Sequence, residues 1–142
     1  MANSPIHSDS PYDAVPDVPT SVLRLAETLV MLAASADEQV AWVDRHRWSE
    51  DELALDFDWA NGWVPWSVDE RSPGLLSPVI HELLKRIDDR LAEMSGEPNA
   101  DKWTPEGLAT DPGWAEVRHL SGRALTEIAR LDLVTIPPPG EL

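Results

Sequence analysis

The residues of this sequence best suited to binding another molecule are its acidic residues and its tryptophans. Both kinds concentrate between residues 37 and 70. This window holds ten acidic side chains against two arginines, a net charge of −8 within a chain whose total is −15. It also holds five of the seven tryptophans: Trp42, Trp48, Trp59, Trp63 and Trp66. Carboxylates attract cationic groups, and tryptophan is enriched among residues that anchor protein interfaces. The pattern therefore indicates a surface suited to a basic partner.

Motifs typical of enzymes and metal sites are missing from the sequence. Residues 56–62 begin like a calcium-binding loop, but Ala60, Asn61 and Ser67 stand where an oxygen ligand, a glycine and a glutamate are required. There is no cysteine, no glycine-rich phosphate loop and no GxSxG or HExxH motif. Structural roles are predicted for the four histidines: His7, His46, His81 and His119. We therefore predict no catalytic, metal-binding or cofactor-binding residues, and we keep a catalytic site assembled from distant residues as an alternative.

The charge balance and composition of the 142-residue chain narrow the classes of function. The 26 acidic residues outnumber the 11 basic ones, which argues against a nucleic-acid binder with a basic footprint and against a cationic membrane-surface helix. The longest apolar run, residues 29–34, is far too short to span a membrane. Because the N-terminal residues lack the basic and apolar regions of a secretory signal, we predict a cytoplasmic protein.

The elements that must position these residues are helices. Apolar residues recur at helical spacing, and no alternation typical of strands stands out. We predict an all-α fold, a compact bundle of four or five helices over residues 20–136. The proline- and aspartate-rich residues 1–19 are predicted to form a flexible, extended leader, and residues 137–142 an extended, proline-rich tail.

Capping residues locate the ends of the predicted helices. The predicted starts are Thr20 or Ser21, Ser35, Ser49, Ser77, Thr104 and Asp111. Ser35 and Ser49 are each followed three residues later by a glutamate, which is the spacing of a capping box. The helix that begins at Ser49 is predicted to end near Asn61, with Gly62 directly after it and a loop over residues 64–74.

The helix predicted after Ser49 carries apolar residues on two faces. At about 100° per residue, Leu53, Phe57 and Ala60 share one face, whereas Trp59 lies about 240° around the helix from Leu53. Two interpretations stay open. The helix is either packed between neighbours, with its tryptophans in the core, or it is packed on one face and offers tryptophans and carboxylates to a partner on the other.

These observations predict an acidic protein–protein interaction module. The specific expectation is an inhibitor or immunity-type protein that neutralises a basic, nuclease-like partner, with carboxylates imitating phosphates and tryptophans anchoring the complex. The predicted partner-binding residues are Glu50, Asp51, Glu52, Asp56, Asp58, Trp59, Trp63 and Trp66. One alternative is a scaffold subunit of a larger or homo-oligomeric assembly, and another is a small-molecule binder or enzyme with a tryptophan-lined pocket. No cofactor and no direct contact with nucleic acid or membrane are predicted.

Overall fold

Six α-helices and two 3₁₀-helices account for most of residues 15–142, the part of the chain that the computed structural model describes. The α-helices are α1 (Val18–Ala33), α2 (Ala36–His46), α3 (Asp51–Arg71), α4 (Pro78–Glu93), α5 (Pro105–Thr110) and α6 (Pro112–Ala129). The 3₁₀-helices span Glu97–Lys102 and Pro139–Glu141. No strand occurs in residues 15–142, so the prediction of an all-α fold is confirmed.

α1 and α6 form the centre of the bundle. α1 packs against α3 on one side and against α6 on the other, and α6 also packs against α4. Leu25 and Leu29 of α1 are completely buried, as are Phe57 of α3 and Trp114 of α6. Burial of these apolar side chains drives the association of the helices. The shorter α2 packs against α5 and against the 3₁₀-helix near the C-terminus.

Several predicted caps are present in the structure. Ser35 and Glu38 form the predicted capping box at the start of α2, where the Glu38 amide donates to Ser35 Oγ at 3.2 Å and the Ser35 amide donates to Glu38 Oε1 at 2.9 Å. Ser77 Oγ accepts from the Ile80 amide at the start of α4. Asp111 begins α6 in the same way, with Pro112 as the first helical residue. These helix starts are local features, so the sequence alone sufficed to locate them.

The start of α1 differs from the prediction. Asp17 caps this helix, because its Oδ1 accepts from the Thr20 amide at 2.8 Å, so the predicted caps at Thr20 and Ser21 are wrong. The helix therefore begins inside the predicted leader. Residues 1–14 of that leader, with His7, lie outside the described residues.

α3 runs well past its predicted end. Gly62 and Pro65 both lie inside the helix, so the predicted end near Asn61, with Gly62 directly after it, is wrong. The loop predicted over residues 64–74 is wrong for residues 64–71, which are helical. A proline inside a helix costs about 3 kcal/mol. Val64 and Val68 are completely buried, and burying two valines gives roughly 3–6 kcal/mol, which is enough to keep the second half of α3 helical.

The two ends of α3 are held in different ways. Its first residues carry no side-chain cap, so the capping box predicted at Ser49 does not form. At its other end Arg71 donates to Ser67 Oγ at 2.9 Å, to Ser21 Oγ at 3.1 Å and to the Pro16 carbonyl. This cluster ties the C-terminal end of α3 to the beginning of α1.

Two segments with no predicted helix also adopt defined structure. The 3₁₀-helix Glu97–Lys102 is held by two indoles: Trp103 Nε1 donates to the Met94 carbonyl and Trp114 Nε1 to the Lys102 carbonyl, both at 2.7 Å.

The proline-rich C-terminal residues fold back onto α2, where His46 Nε2 donates to the main-chain oxygen of Leu142 at 2.9 Å.

Within residues 15–142 no single helix is long and apolar enough to cross a membrane, although α1 and α2 taken together, bent by 118° at their junction, have sufficient length and apolar composition.

Candidate partner-binding site

α3 separates its apolar residues into a buried stripe and an exposed one. Leu53, Phe57, Ala60, Val64 and Val68 recur at intervals of three or four residues and are at most 1% exposed. This stripe lies in the core, where α3 packs against α1. The tryptophans of α3 lie on a different side of the helix. At about 100° per residue, Trp59 is about 160° around the helix from Phe57.

Trp59, Trp63 and Trp66 form what we call the tryptophan face. Their spacing of four and three residues places the three side chains on one side of α3. Trp59 is 60% exposed and Trp66 is 69% exposed, whereas Trp63 is half-buried. The rings of Trp59 and Trp63 pack edge to face, with centroids 5.5 Å apart. Trp63 Nε1 is buried and has no hydrogen-bond partner among the described residues, whereas buried polar groups are usually hydrogen-bonded.

A second aromatic cluster stands next to this face. Trp42 is buried, Trp48 is 45% exposed, and the two rings pack edge to face with centroids 5.0 Å apart. His46 stacks on Trp48 at 4.3 Å with its plane tilted by 16°. The hydrogen bond from His46 to Leu142 holds this ring in place. The five tryptophans between residues 42 and 66 are thus neither all core nor all surface.

The aromatic cleft, as we call it, lies between this cluster and Trp59. It has a volume of about 400 Å³. The residues that line it include Glu27, Trp42, His46, Trp48, Asp56 and Trp59. Arg24 and the C-terminal Glu141 and Leu142 also border it, so α1, α2, α3 and the chain end all contribute to its walls.

A second groove adjoins the aromatic cleft. It has a volume of about 350 Å³ and lies between the tryptophan face and residues 15–16 at the start of the described chain. Arg24 and Trp59 line both depressions. The tryptophan face and the aromatic cleft are therefore parts of one continuous surface.

The carboxylates predicted to contact a partner are divided between two sides of α3. Asp56 lines the aromatic cleft, and Glu52 lies one turn before it on the same side of the helix. Asp51 lines a different depression, together with Leu55 and Trp103. Glu50, Asp51 and Asp58 line neither the aromatic cleft nor the groove beside the tryptophan face.

The charge of Asp56 is poorly stabilised where it stands. Burial raises the pKa of Asp56, and the neighbouring carboxylate of Glu52 raises it further, while His46 acts in the opposite direction. Among the described residues Glu27, Glu52 and Asp56 form no salt bridge. The aromatic cleft therefore contains a partly desolvated carboxylate that forms no salt bridge with residues 15–142.

Of the eight residues predicted to bind a partner, the structure brings five together: Glu52, Asp56, Trp59, Trp63 and Trp66. Sequence reasoning missed the contributions of Arg24 and Glu27, although both fall between the apolar positions of α1 and could have been assigned to its outer face. It also missed Glu141 and Leu142, for which no local pattern indicates a return to α2.

Other chemistry is sparse in the described part of the chain. No group of three or more histidine, aspartate or glutamate side chains in residues 15–142 has the geometry to hold a metal ion.

Comparisons with protein-family models, with curated proteins and with solved structures found no match to this chain. The functional proposal therefore depends on the geometry of the tryptophan face and the aromatic cleft.

Proposed function

We propose that this chain is a protein–protein interaction module that binds a basic protein through the tryptophan face and the carboxylates beside it. The observation that carries the proposal is the exposure of Trp59 and Trp66 on the same side of α3 as the half-buried Trp63. Single exposed apolar residues are common on proteins, but adjoining large ones are typical of interaction sites.

Tryptophan is well suited to the proposed role. Its side chain buries a large apolar area while losing little conformational freedom, so it is frequent among residues that dominate binding energy. The edge-to-face packing of Trp59 against Trp63 holds one ring of the face in position before a partner arrives. A preorganised surface loses less entropy on binding than a mobile one.

The charge distribution supports a basic partner. The chain carries a net charge of −15, and more than half of that arises between residues 37 and 70. Negative charge of this size speeds encounter with positive surfaces and repels nucleic acid. Cationic groups on a partner would also neutralise Asp56 and Glu52, which lack salt bridges within residues 15–142.

The more specific proposal is an inhibitor or immunity-type protein. Basic surfaces in cells belong largely to proteins that bind nucleic acid, including nucleases. Carboxylates of the aromatic cleft would occupy the positions of phosphates in such a partner, and the tryptophan face would anchor the complex beside them. Glu27 and Asp56, which line the cleft, and Glu52, one turn before Asp56, suit this role better than Asp51 and Asp58. Those two residues line neither the aromatic cleft nor the groove beside the tryptophan face.

The proposal is tested by affinity capture from the cell that encodes the chain, followed by identification of the bound proteins. We expect a basic protein that is retained at low salt and released at high salt, since interactions between charged surfaces are screened by salt. The double variant Trp59→Ala, Trp66→Ala should lose this protein. The matched control Val79→Ala, which removes a 48% exposed apolar side chain that lines neither depression, should keep it.

Two results would contradict the proposal. The first is retention of the same basic protein by the double tryptophan variant, because the tryptophan face would then not be the binding site. The second is self-association that is indifferent to salt and that accounts for all captured protein, which would favour a scaffold subunit of a homo-oligomer instead.

A further inference from the structure

We propose that the aromatic cleft binds one organic cation, the guanidinium or ammonium group of an arginine or lysine side chain of the partner, between the indoles of Trp48 and Trp59 and beside the carboxylate of Asp56. This inference deepens the proposed function and rests on it, because it names the chemical group that the binding surface selects.

The walls of the cleft have the composition of a cation site. Cations are attracted to the faces of aromatic rings, most strongly to tryptophan. Trp42, Trp48 and Trp59 all line the cleft, and the last two are exposed enough to be reached by an incoming side chain. The volume of about 400 Å³ lies at the lower end of the range for small-ligand sites, roughly 300–1,000 Å³.

The position of Trp48 is fixed before a ligand binds. Its ring packs against the buried Trp42 and stacks on His46, and His46 is held by its hydrogen bond to Leu142. A cation that enters the cleft therefore meets an oriented ring. Because the C-terminal residues supply this hydrogen bond, they take part in shaping the wall.

The carboxylates of the cleft favour a positive ligand. Asp56 and Glu27 line it from α3 and α1, and Glu141 lines it from the C-terminal segment. Burial of Asp56 raises the pKa of its carboxyl group, so a cation placed beside it would favour the charged form and lower that pKa again. An aromatic wall combined with a partly desolvated carboxylate selects cations over neutral groups of the same shape.

Arg24 is the charged group of the cleft that opposes this ligand. It lies on α1 and borders both the aromatic cleft and the adjoining groove. Its side chain is exposed, and it forms no salt bridge within residues 15–142. Arg24 is thus a like charge at the edge of the site, and its removal should strengthen the binding of a cation.

The test is a titration of the full chain with N-acetylarginine N-methylamide, which carries a single guanidinium, followed by NMR of the indole N–H signals. The neutral probe is the corresponding citrulline compound, which has nearly the same shape. We expect saturable shifts of the Trp48 and Trp59 signals with the arginine probe and roughly three- to tenfold weaker binding of the citrulline probe.

Variants assign the binding to this cleft. Asp56→Asn should weaken binding of the arginine probe roughly three- to tenfold, and Arg24→Gln should strengthen it. Asp58→Asn is the matched control, because it removes a carboxylate from the same helix outside the cleft and should leave binding unchanged.

The inference is overturned by equal binding of the two probes, by equal effects of Asp56→Asn and Asp58→Asn, or by the absence of saturable shifts. None of these results contradicts the proposed function if a basic protein is still captured and the capture depends on Trp59 and Trp66. Selective binding of the arginine probe supports the cation site even if no basic protein is captured, and in that case the proposed function alone fails.

Discussion

Asp56 and Asp58 lie two residues apart on α3 but belong to different electrostatic environments. Asp56 lines the aromatic cleft, whereas Asp58 is close enough to Asp88 of α4 for its charge to affect that residue. Burial raises the pKa of Asp88, and the charge of Asp58 raises it further. A local excess of negative charge is thus present on two sides of α3, but aromatic rings accompany it chiefly on the side of Asp56.

The first prediction concerns the stability of the Asp56→Asn variant. Because burial raises the pKa of Asp56 in the folded state, its ionised form destabilises the fold above the pKa of the unfolded chain, about 3.9. We expect Asp56→Asn to increase the free energy of unfolding at neutral pH by less than about 1 kcal/mol, since Asp56 is partly solvated. The gain should vanish near pH 3, because the Asp56 carboxyl is then protonated and, like the amide of the variant, carries no charge. Urea denaturation at the two pH values checks this, and a loss of stability at neutral pH would contradict it.

The second prediction separates surface tryptophans from core tryptophans. Trp66→Ala should change the free energy of unfolding by no more than about 0.5 kcal/mol, as is usual for exposed positions. Trp114→Ala removes a completely buried ring and should cost about 3–5 kcal/mol. Thermal and chemical denaturation of both variants provide the measurement. A large loss of stability in Trp66→Ala would show that the tryptophan face is part of the core.

A third prediction uses two glycines with opposite surroundings. A Cβ atom added at Gly107 would lie 2.4 Å from the main-chain oxygen of Lys102, and main chain cannot move aside at low cost. Gly122 lies within α6 and has open space around the same position. We expect Gly107→Ala to destabilise the protein by about 1–3 kcal/mol and Gly122→Ala to stabilise it by about 0.5–1 kcal/mol. Midpoints of thermal unfolding that shift in the same direction for both variants would contradict this.

A fourth prediction concerns Arg118, which joins three separate segments. Its guanidinium donates to the Ala34 carbonyl at 2.9 Å, to Gln39 Oε1 at 3.2 Å and to the Leu108 carbonyl at 2.6 Å. Burial lowers the pKa of Arg118. Arg118→Ala would leave these acceptors without their donor, so we expect a cost of about 1–3 kcal/mol. Arg123→Ala, an exposed position on the same helix, serves as the control and should be nearly neutral in urea denaturation.

The fifth prediction concerns the pH dependence contributed by Asp111. The hydrogen bond from Lys102 Nζ, at 2.8 Å, lowers the pKa of Asp111, and the Gly113 amide lowers it further. A depressed pKa in the folded state contributes stability above the pKa of the unfolded chain, and this stability is lost as the pH falls through the folded-state value. At neutral pH Asp111→Ala should cost about 1–2 kcal/mol, because it removes a helix cap as well as the ion pair.

Asp111→Asn is the companion variant, since asparagine keeps the capping ability but not the charge. It should cost less than Asp111→Ala at neutral pH. Both differences from the wild type should shrink in acid, where Asp111 itself becomes protonated. A cost of Asp111→Ala that is the same at all pH values would mean that the charge of Asp111 does not stabilise the fold.

Local signals account for the parts of the fold that the sequence predicted correctly. The capping box of Ser35 with Glu38 involves only neighbouring residues, and so do the starts of α4 at Ser77 and of α6 at Asp111. The length of α3 could not be predicted in the same way. Gly62 and Pro65 are local signals against a helix, and they are outweighed by the burial of Val64 and Val68, which depends on the distant α1.

The candidate site was predictable in its residue types but not in its arrangement. The concentration of acids and tryptophans is visible in the sequence, but their division between core and surface depends on which side of α3 packs against α1. Trp42 and Trp59 illustrate this, because one is buried and the other is 60% exposed within a single tryptophan-rich window. The participation of Leu142 depends on a contact across 96 residues, which no local pattern encodes.

The measurement that tests the central claim most directly is site-specific photo-crosslinking of the full chain in its own cell extract. A photoreactive benzoylphenylalanine placed at Trp66 should crosslink to a basic protein at low salt and lose that product at high salt. The same group placed at Val79, on the surface of α4, should not form this product. Crosslinking of the same basic protein from both positions, or from Val79 alone, would contradict binding through the tryptophan face.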